Sequence, residues 1–240
     1  MSRAIKGVVF DVGYTLIDET RRWREWAEWL AVEPEELWAS MRSVIAEGVH
    51  HVESLRRLHP GFDLEQARAD RRQAGRRDEF LAGDVYSDVS PCVARLKAAG
   101  LKTGAAGNMS VDVERFLAAS GLSFDMIGSS QRWGVEKPNP VFFERVIDAI
   151  ALPAKQLAYV GDRLDNDVAP AIAAGMCAIY LRRGLWAEAL SDRPEAAPAY
   201  AIIDSLDELP AALPGFGRES GRSEKQQENH AGEQVEEGAD

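Results

Sequence analysis

Residues Gly7–Leu16, with the sequence GVVFDVGYTL, decide the fold of this chain. The apolar run Gly7–Phe10 predicts a buried β-strand, and Asp11 follows at its carboxyl end, where the chain enters a tight turn. In an open parallel sheet, ligands bind in the crevice beyond the carboxyl ends of the strands. Because aspartate is also a common turn residue, Asp11 indicates a site only if other strands end in the same way.

Two later strands do end with a polar residue. Asn108 follows a strand predicted at residues 101–106, and Asp162 follows one predicted at residues 157–160. Further strands are predicted at 124–128, 177–181 and 200–203, and helices are predicted at 110–120, from Asn139-Pro140 onward and at 168–174. Strands that alternate with helices in this way predict a parallel, doubly wound α/β sheet with a Rossmann-like core.

A helical segment interrupts this pattern directly after the first strand. Its first helix has Trp23, Trp26, Ala27 and Leu30 on one face, and a second begins near Pro34 with a stripe of Leu37, Met41, Val44, Ile45 and Gly48. A third helix ends at His59, and an arginine-rich fourth covers residues 64–81. We therefore predict a core of residues 1–17 and 87–212, with a small inserted helical cap at 18–86. The polar residues 213–240 predict a disordered tail.

Composition excludes several classes of protein. The 240-residue chain carries a net charge of −11, which argues against binding to a nucleic-acid backbone but not against a small anionic substrate in a locally positive pocket. No apolar run approaches the ~20 residues of a membrane helix, and the N-terminus leads straight into a strand, so we expect a cytoplasmic protein. Cys92 and Cys177 are interpreted as small buried residues. The oligomeric state is not encoded in any pattern we recognise.

Four segments, in order, resemble the motifs of the haloacid dehalogenase superfamily. They are DVGYTL at 11–16, GN at 107–108, EKPNP at 136–140 and GDRLDND at 161–167. The resemblance spans roughly residues 5–185, and the helical insert lies where this superfamily places a cap. It implies a hydrolase that acts on a small phosphorylated metabolite, and therefore a phosphatase.

The resemblance also implies roles for individual residues. Asp11 would be the nucleophile, forming a covalent acyl phosphate, and Lys137 would supply a fixed positive charge beside it. Mg²⁺ would be held by Asp11, the backbone carbonyl of Gly13 and Asp162. Asp167 would orient Lys137 or complete the outer shell of the metal.

Three further residues are implied in substrate binding, and several alternatives stay open. The substrate-binding residues are Gly107, Asn108 and Thr15, of which Thr15 resembles a residue that supports the loop. Asn108 has an alternative as a turn residue, Lys137 as a surface lysine and Asp167 as the N-cap of the helix that follows it.

Two positions depart from the family pattern. Phosphatases of this superfamily carry a second aspartate, the general acid and base, where this chain has Gly13. Losing a general acid costs about 10²–10⁴-fold in rate, or about 3–5 kcal/mol of transition-state stabilisation. We therefore expect acyl, anhydride or aryl leaving groups to be favoured over sugar alkoxides. Gly107 replaces the usual serine or threonine. Candidate replacement acids are Tyr14, the cap histidines His50, His51 and His59, and the substrate itself, and no spacing argument selects one.

Two other functions compete with the phosphatase interpretation. A metal-independent dehalogenase would also lack the second aspartate, but dehalogenases typically lack the pair retained here as Gly161-Asp162. A degenerate family member could act as a binding or regulatory protein. Schiff-base chemistry from a cap lysine is excluded, since no lysine lies between Asp18 and Asp88.

The polar and aromatic residues of the cap have ordinary explanations. Tryptophans at 23, 26, 29 and 38 are interpreted as packing residues. The arginines at 71, 72, 76 and 77 are interpreted as a solvated helix face, with grip on an anionic substrate as the alternative.

Overall fold

The computed structural model describes residues 4–190 and 199–216. Six strands form one sheet in which every neighbouring pair is parallel, in the order β3-β2-β1-β4-β5-β6. The strands are β1 (Gly7–Phe10), β2 (Lys102–Gly107), β3 (Met126–Ser129), β4 (Leu157–Gly161), β5 (Cys177–Leu181) and β6 (Ala201–Ile203). The predicted parallel, doubly wound α/β sheet is confirmed. Short apolar runs such as those of β1 and β5 had marked its central strands in the sequence.

Helices connect the strands and continue the chain after β6. They are α1 (Thr20–Leu30), α2 (Pro34–Ala46), α3 (Glu53–Leu58), α4 (Leu64–Gln73), α5 (Val89–Ala98), α6 (Val111–Ala119), α7 (Ser130–Trp133), α8 (Pro140–Ile150), α9 (Ala169–Ala173), α10 (Gly184–Ala189) and α11 (Leu209–Ala212). Single 3₁₀ turns lie at Ala82–Asp84 and Ala154–Gln156, and a π-helical turn spans Leu164–Val168.

Two hydrophobic clusters cover the two faces of the sheet. Successive residues of a strand point to opposite faces, so Val8 joins one cluster while Val9 joins the other. The first cluster is closed by apolar residues of α5 and α11, and the second by those of α8, such as Phe142 and Phe143. Burial on both faces explains why β1, β4 and β5 are apolar along their whole length.

The strand order reverses at β1, which lies between β2 and β4. The connections from these strands leave in opposite directions, so a crevice opens beyond their carboxyl ends. This crevice is where the fold places a ligand.

The segment between β1 and α5 packs around its own apolar cluster. Trp23 and Trp26 are buried there, and Trp29 and Trp38 pack against it from partly buried positions. Their interpretation as packing residues is confirmed. The cluster also includes Trp186 from α10, so these helices rest on the end of the sheet that carries the crevice.

Three predicted helix boundaries are wrong. Helix α4 ends at Gln73 rather than Leu81, because Gly75 adopts a left-handed φ of 74° that ends a helix. Gly48 lies beyond the end of α2 for the same reason. The sequence Ser90-Pro91 also predicts an N-cap and a first helical turn, but helix α5 begins one residue earlier, at Val89, and the carboxylate of the preceding Asp88 pairs with Arg183.

The predicted tail begins too early. Leu213 is buried and Phe216 packs against the first core cluster, so residues 213–216 belong to the folded core. The rest of the predicted tail lies outside the described residues. In the described part of the chain, no helix has the length and apolar character to cross a membrane. Cys92 and Cys177 are both buried, as the sequence indicated.

Candidate functional site

Three neighbouring strands deliver polar side chains to one edge of the sheet. Asp11 follows β1, Asn108 follows β2 and Asp162 follows β4. Parallel pairing fixes their alignment, because Phe10 lies opposite Ala105 on one side and Val160 on the other. The backbone N–H of Asp11 continues the ladder by donating to the carbonyl of Val160 at 2.8 Å.

Lys137 enters this edge from the loop before α8. Its Nζ lies 2.5 Å from Oδ1 of Asp11 and 2.5 Å from Oδ1 of Asp167. The lysine side chain is only 1% exposed, so the two carboxylates compensate its buried charge. Burial alone would lower the pKa of Lys137, but the charges of Asp11 and Asp167 raise it well above its ordinary value. The lysine therefore stays protonated, and the surface-lysine alternative is wrong.

Asp11, Asp162 and Asp167 form the acidic half of the site. One oxygen from each carboxylate lies within 4.8 Å of the other two, and all three residues are buried. Oδ2 of Asp162 has no hydrogen-bond partner within residues 4–190 and 199–216. Burial, and then repulsion by Asp11 and Asp167, raises the pKa of Asp162 well above its ordinary value. A bound cation would give Oδ2 of Asp162 a partner and would screen the repulsion among the three carboxylates. This cluster could therefore hold a metal ion.

Asp167 is fixed from two sides. Its Oδ2 accepts the backbone N–H of Arg163 at 3.0 Å, while Oδ1 faces Lys137. Burial raises its pKa to about 6, although the charge of Lys137 acts in the opposite direction. A side chain on Gly161 would collide with this carboxylate, which explains the glycine before Asp162. Val168 occupies the cap position of α9, so the interpretation of Asp167 as the N-cap of that helix is wrong.

Asn108 connects the loop after β2 to the lysine loop. Its Nδ2 donates to the carbonyl of Lys137 at 3.0 Å, and its Oδ1 accepts the backbone N–H of Lys137 at 2.7 Å. Both hydrogen bonds join Asn108 to the backbone of a loop 29 residues away, which a role in its own turn alone would not require. The carboxamide thus positions Lys137, and Asn108 also lines the cavity above the site.

Of the two other residues that the resemblance assigned to substrate binding, Gly107 lies next to the carboxylate of Asp11 and Thr15 does not line the cavity. Thr15 is fully buried and is not among the residues that line the cavity, which favours a role in supporting the loop over contact with a substrate. A Cβ on Gly107 would lie 2.7 Å from Oδ1 of Asp11. The glycine therefore leaves room for the conformation in which Asp11 meets Lys137.

Gly13 is closely approached by a side chain that the sequence did not single out. A Cβ on Gly13 would lie 2.8 Å from Oε1 of Glu19. Burial raises the pKa of Glu19 above its ordinary value, against the lowering effect of Arg22. The signal in the sequence was a glutamate six residues beyond Gly13, but only the folded loop shows that the two meet.

The replacement acids that we considered from the sequence are less well placed. His51 packs edge-on against Trp23 and Trp186, and burial lowers its pKa to about 3, so it is neutral. Tyr14 lines the cavity, but burial raises the pKa of its hydroxyl. His50 lines the cavity and burial lowers its pKa, whereas His59 lies outside the set of lining residues within the described ranges.

A cavity of about 1150 Å³ lies over Asp11, Lys137 and Asp162. The helical segment supplies the opposite wall, which is rich in arginine. Its arginines include those predicted to form a solvated face: Arg71, Arg72, Arg76 and Arg77. That prediction is wrong for Arg71, which is 1% exposed, stacks over Trp26 and lies 3.2 Å from Asp78.

Known proteins resemble this chain in sequence and in fold. A family model described as haloacid dehalogenase-like hydrolase matches residues 5–175. A glyceraldehyde 3-phosphate phosphatase from Methanopyrus kandleri is 31% identical over 218 residues, covering 82% of this chain and 93% of that enzyme.

Two solved structures share the fold. A 2-haloacid dehalogenase from Pseudomonas syringae pv. tomato has a TM-score of 0.51 at 24% identity, covering 87% of this chain and 97% of that one. A magnesium-bound HAD-hydrolase from Bacillus subtilis has a TM-score of 0.59 at 19% identity, covering 88% and 99%. The sheet order, the motif residues around one crevice and the match over most of the sequence agree, and the chain belongs to the haloacid dehalogenase-like hydrolase family.

Proposed function

We propose that this chain is a Mg²⁺-dependent phosphatase that hydrolyses a small phosphorylated metabolite through an aspartyl-phosphate at Asp11. The observation that carries the proposal is the buried contact between Asp11 and Lys137 beside the carboxylate of Asp162. A nucleophilic carboxylate, a fixed cation and a metal-binding acid are the groups that phosphoryl transfer to aspartate requires. The phosphatase from M. kandleri, with 93% of its length aligned, supports the same chemistry.

Asp11, Lys137 and Asn108 have different roles in the first step, the transfer of the phosphoryl group to Asp11. An oxygen of Asp11 attacks the phosphorus, and the bond to the leaving oxygen breaks as the acyl phosphate forms. Lys137 orients the carboxylate and stabilises negative charge that accumulates on the transferring group. Asn108 keeps Lys137 in place through its two contacts with the lysine backbone. The glycine at 107 leaves space for the Asp11 carboxylate in the conformation that contacts Lys137.

The acidic residues fit a resident divalent cation. Asp11, Asp162 and the carbonyl of Gly13 would hold Mg²⁺, with Asp167 in the outer shell. The unpartnered Oδ2 of Asp162, within the described chain, is the group that such an ion would satisfy. Bound Mg²⁺ supplies screening of the repulsion between Asp11 and an anionic substrate.

The helical segment is proposed to act as the cap of the site. Residues 18–86 would form the cap over a core made of residues 1–17 and 87–212. The arginines on the cap side of the cavity suit a substrate that is anionic, as a phosphorylated metabolite is. We propose no nucleic-acid or membrane partner, and the cytoplasmic location stays a prediction.

A substrate panel tests this function directly. Purified protein with Mg²⁺ should hydrolyse members of a panel of acyl, aryl and alkyl phosphates, and Asp11→Asn should lower the rate by about 10⁴–10⁶-fold while keeping the wild-type circular dichroism. Halide release from a 2-haloacid in the presence of a chelator would replace the phosphatase proposal with a dehalogenase. Inactivity on both panels, with the biological role retained in Asp11→Asn, would indicate a binding protein.

A further inference from the structure

The space beside Gly13 is filled by the carboxyl group of Glu19. The position of a Cβ on Gly13 lies 2.8 Å from Oε1 and 3.5 Å from Cδ of Glu19. An aspartate at position 13 would extend its own carboxylate into that same volume. The structure therefore keeps a carboxyl group beside the nucleophile's loop, although a different residue supplies it.

The loop after β1 brings Glu19 back to this position. The backbone N–H of Tyr14 donates to the carbonyl of Ile17 at 2.8 Å, which closes a tight turn. Glu19 then stands directly before α1, where its carbonyl accepts the N–H of Trp23 at 3.1 Å. Its side chain is 19% exposed, lies 3.6 Å from Arg22 and lines the same cavity as Asp11.

The other carboxylates on the cavity wall outside the acidic cluster each lie closer to a cation than Glu19 lies to Arg22. Asp78 lies 3.2 Å from Arg71, and Glu79 lies 3.2 Å from Arg77. Asp112 lies 2.7 Å from Arg115, one turn further along α6. The side chains of Glu79 and Asp112 are largely exposed, whereas Glu19 lies against Gly13 in the nucleophile's loop.

We infer that Glu19 transfers the proton in this reaction, in place of the aspartate that Gly13 lacks. The inference rests on the proposed phosphatase function. In the first step Asp11 bonds to phosphorus, the bond to the leaving oxygen breaks, and the Glu19 carboxyl gives its proton to that oxygen. In the second step Glu19 takes a proton from water, the water oxygen bonds to phosphorus, and the acyl-phosphate bond breaks to release phosphate and restore Asp11.

This assignment changes the class of substrate that the site serves. Without a proton donor, the sequence favours acyl, anhydride and aryl phosphates, whose leaving groups need no protonation. With Glu19 as the donor, alkyl phosphates with poor alkoxide leaving groups become substrates. The site thus serves phosphomonoesters of small alcohols and sugars.

A comparison of leaving groups tests the assignment. Wild type and Glu19→Gln are assayed with Mg²⁺ on glycerol 1-phosphate and on p-nitrophenyl phosphate. We expect kcat/KM of the variant to fall about 10²–10⁴-fold on the glycerol ester and to change by less than about threefold on the aryl ester. The matched control is Glu79→Gln, a cavity glutamate on the rim, which should preserve kcat/KM on both.

The second step gives an independent readout. With p-nitrophenyl phosphate, Glu19→Gln should release a burst of nitrophenol and then turn over slowly, because water activation has lost its base. Phosphoenzyme at Asp11 should accumulate and be visible by intact-protein mass spectrometry. A change in packing alone would not produce this accumulation.

A rescue variant separates proton transfer from folding. Gly13→Asp by itself places a side chain against Glu19, whereas Gly13→Asp with Glu19→Ala provides the space. We expect the double variant to recover most of the activity on glycerol 1-phosphate that Glu19→Ala loses. This recovery shows that a carboxyl group at this point is what the reaction requires.

Several results would overturn the inference. Equal losses on both esters would make Glu19 a structural residue, and a rise in KM with kcat preserved would make it a binding residue. Wild type that cleaves only the aryl ester would show that no proton donor operates. In these three cases the proposed phosphatase stands, whereas wild type that is inactive on every phosphate overturns the function and the inference together.

Discussion

Replacing Lys137 with methionine removes the one cation that lies between Asp11 and Asp167 in the described chain. Methionine fills similar space, so the change is mainly one of charge. Three carboxylates whose oxygens lie within 4.8 Å would then share a buried pocket. Breaking a buried ion pair by removing one partner costs about 3–5 kcal/mol, because the remaining charge is uncompensated. We expect the free energy of unfolding of Lys137→Met to be lower by this amount at pH 7.5 in a chelator.

Urea unfolding followed by tryptophan fluorescence measures this loss. At a slope of about 3 kcal/mol per molar urea, the midpoint should move down by about 1–2 M. The matched control is Lys97→Met, which removes a lysine 3.0 Å from Asp125 in a pair whose side chains are 34% and 40% exposed. Such a surface pair contributes about 0–1 kcal/mol, so the control midpoint should move little.

The pH dependence of the stability of Lys137→Met tests whether its loss of stability is electrostatic. Without Lys137, mutual repulsion raises the pKa of the clustered carboxyls in the folded protein above their unfolded values. A folded state that binds more protons gains stability as the pH falls, so the deficit of Lys137→Met relative to wild type should shrink toward pH 5. A Lys137→Met midpoint no lower than that of Lys97→Met, or a deficit that grows on acidification, would refute the reasoning.

Three further predictions concern the metal, the lysine loop and a distant ion pair. Mg²⁺ at 100 times its dissociation constant should stabilise the wild type by about 2.7 kcal/mol in thermal unfolding, and Asp162→Asn should abolish that gain; an equal gain in the variant would place the ion elsewhere. Asn108→Ala should lower the free energy of unfolding by about 1–3 kcal/mol and reduce kcat, since both hydrogen bonds to the backbone of Lys137 are lost; unchanged kcat in steady-state assays would contradict its positioning role. Hydrogen bonds from Arg183 and the N–H of Leu206 outweigh burial and hold the pKa of Asp88 below its ordinary value. Its stabilisation is therefore present above pH ~4 and lost below it, so the stability gap between wild type and Asp88→Asn should close as urea unfolding is repeated at falling pH.

Local patterns in the sequence determined the secondary structure and the edge of the sheet on which the site lies. The bounds of β5, Cys177–Leu181, were predicted without error, because a fully buried strand is apolar along its whole length. Asp11 and Asp162 were placed correctly, since each follows its strand directly. The end of α4 was misplaced because arginines at 76 and 77 continue a helical composition past Gly75, whose left-handed backbone ends the helix.

Tertiary structure alone decided which groups meet. Lys137 and Asp11 are separated by 126 positions, and their 2.5 Å contact exists only because β1 lies beside β2 and Asn108 fixes the lysine loop. The sequence likewise left open whether Asp167 caps a helix or contacts Lys137. The π-helical turn at Leu164–Val168 decides this, because it directs the carboxylate of Asp167 toward Lys137. The role of Glu19 could not be predicted from its place six residues after Gly13, because its carboxyl group reaches the space beside Gly13 only when the loop folds back. Residue order specifies short-range periodicity, whereas the contacts between loops depend on how distant strands pair, and that pairing is a property of the whole sheet.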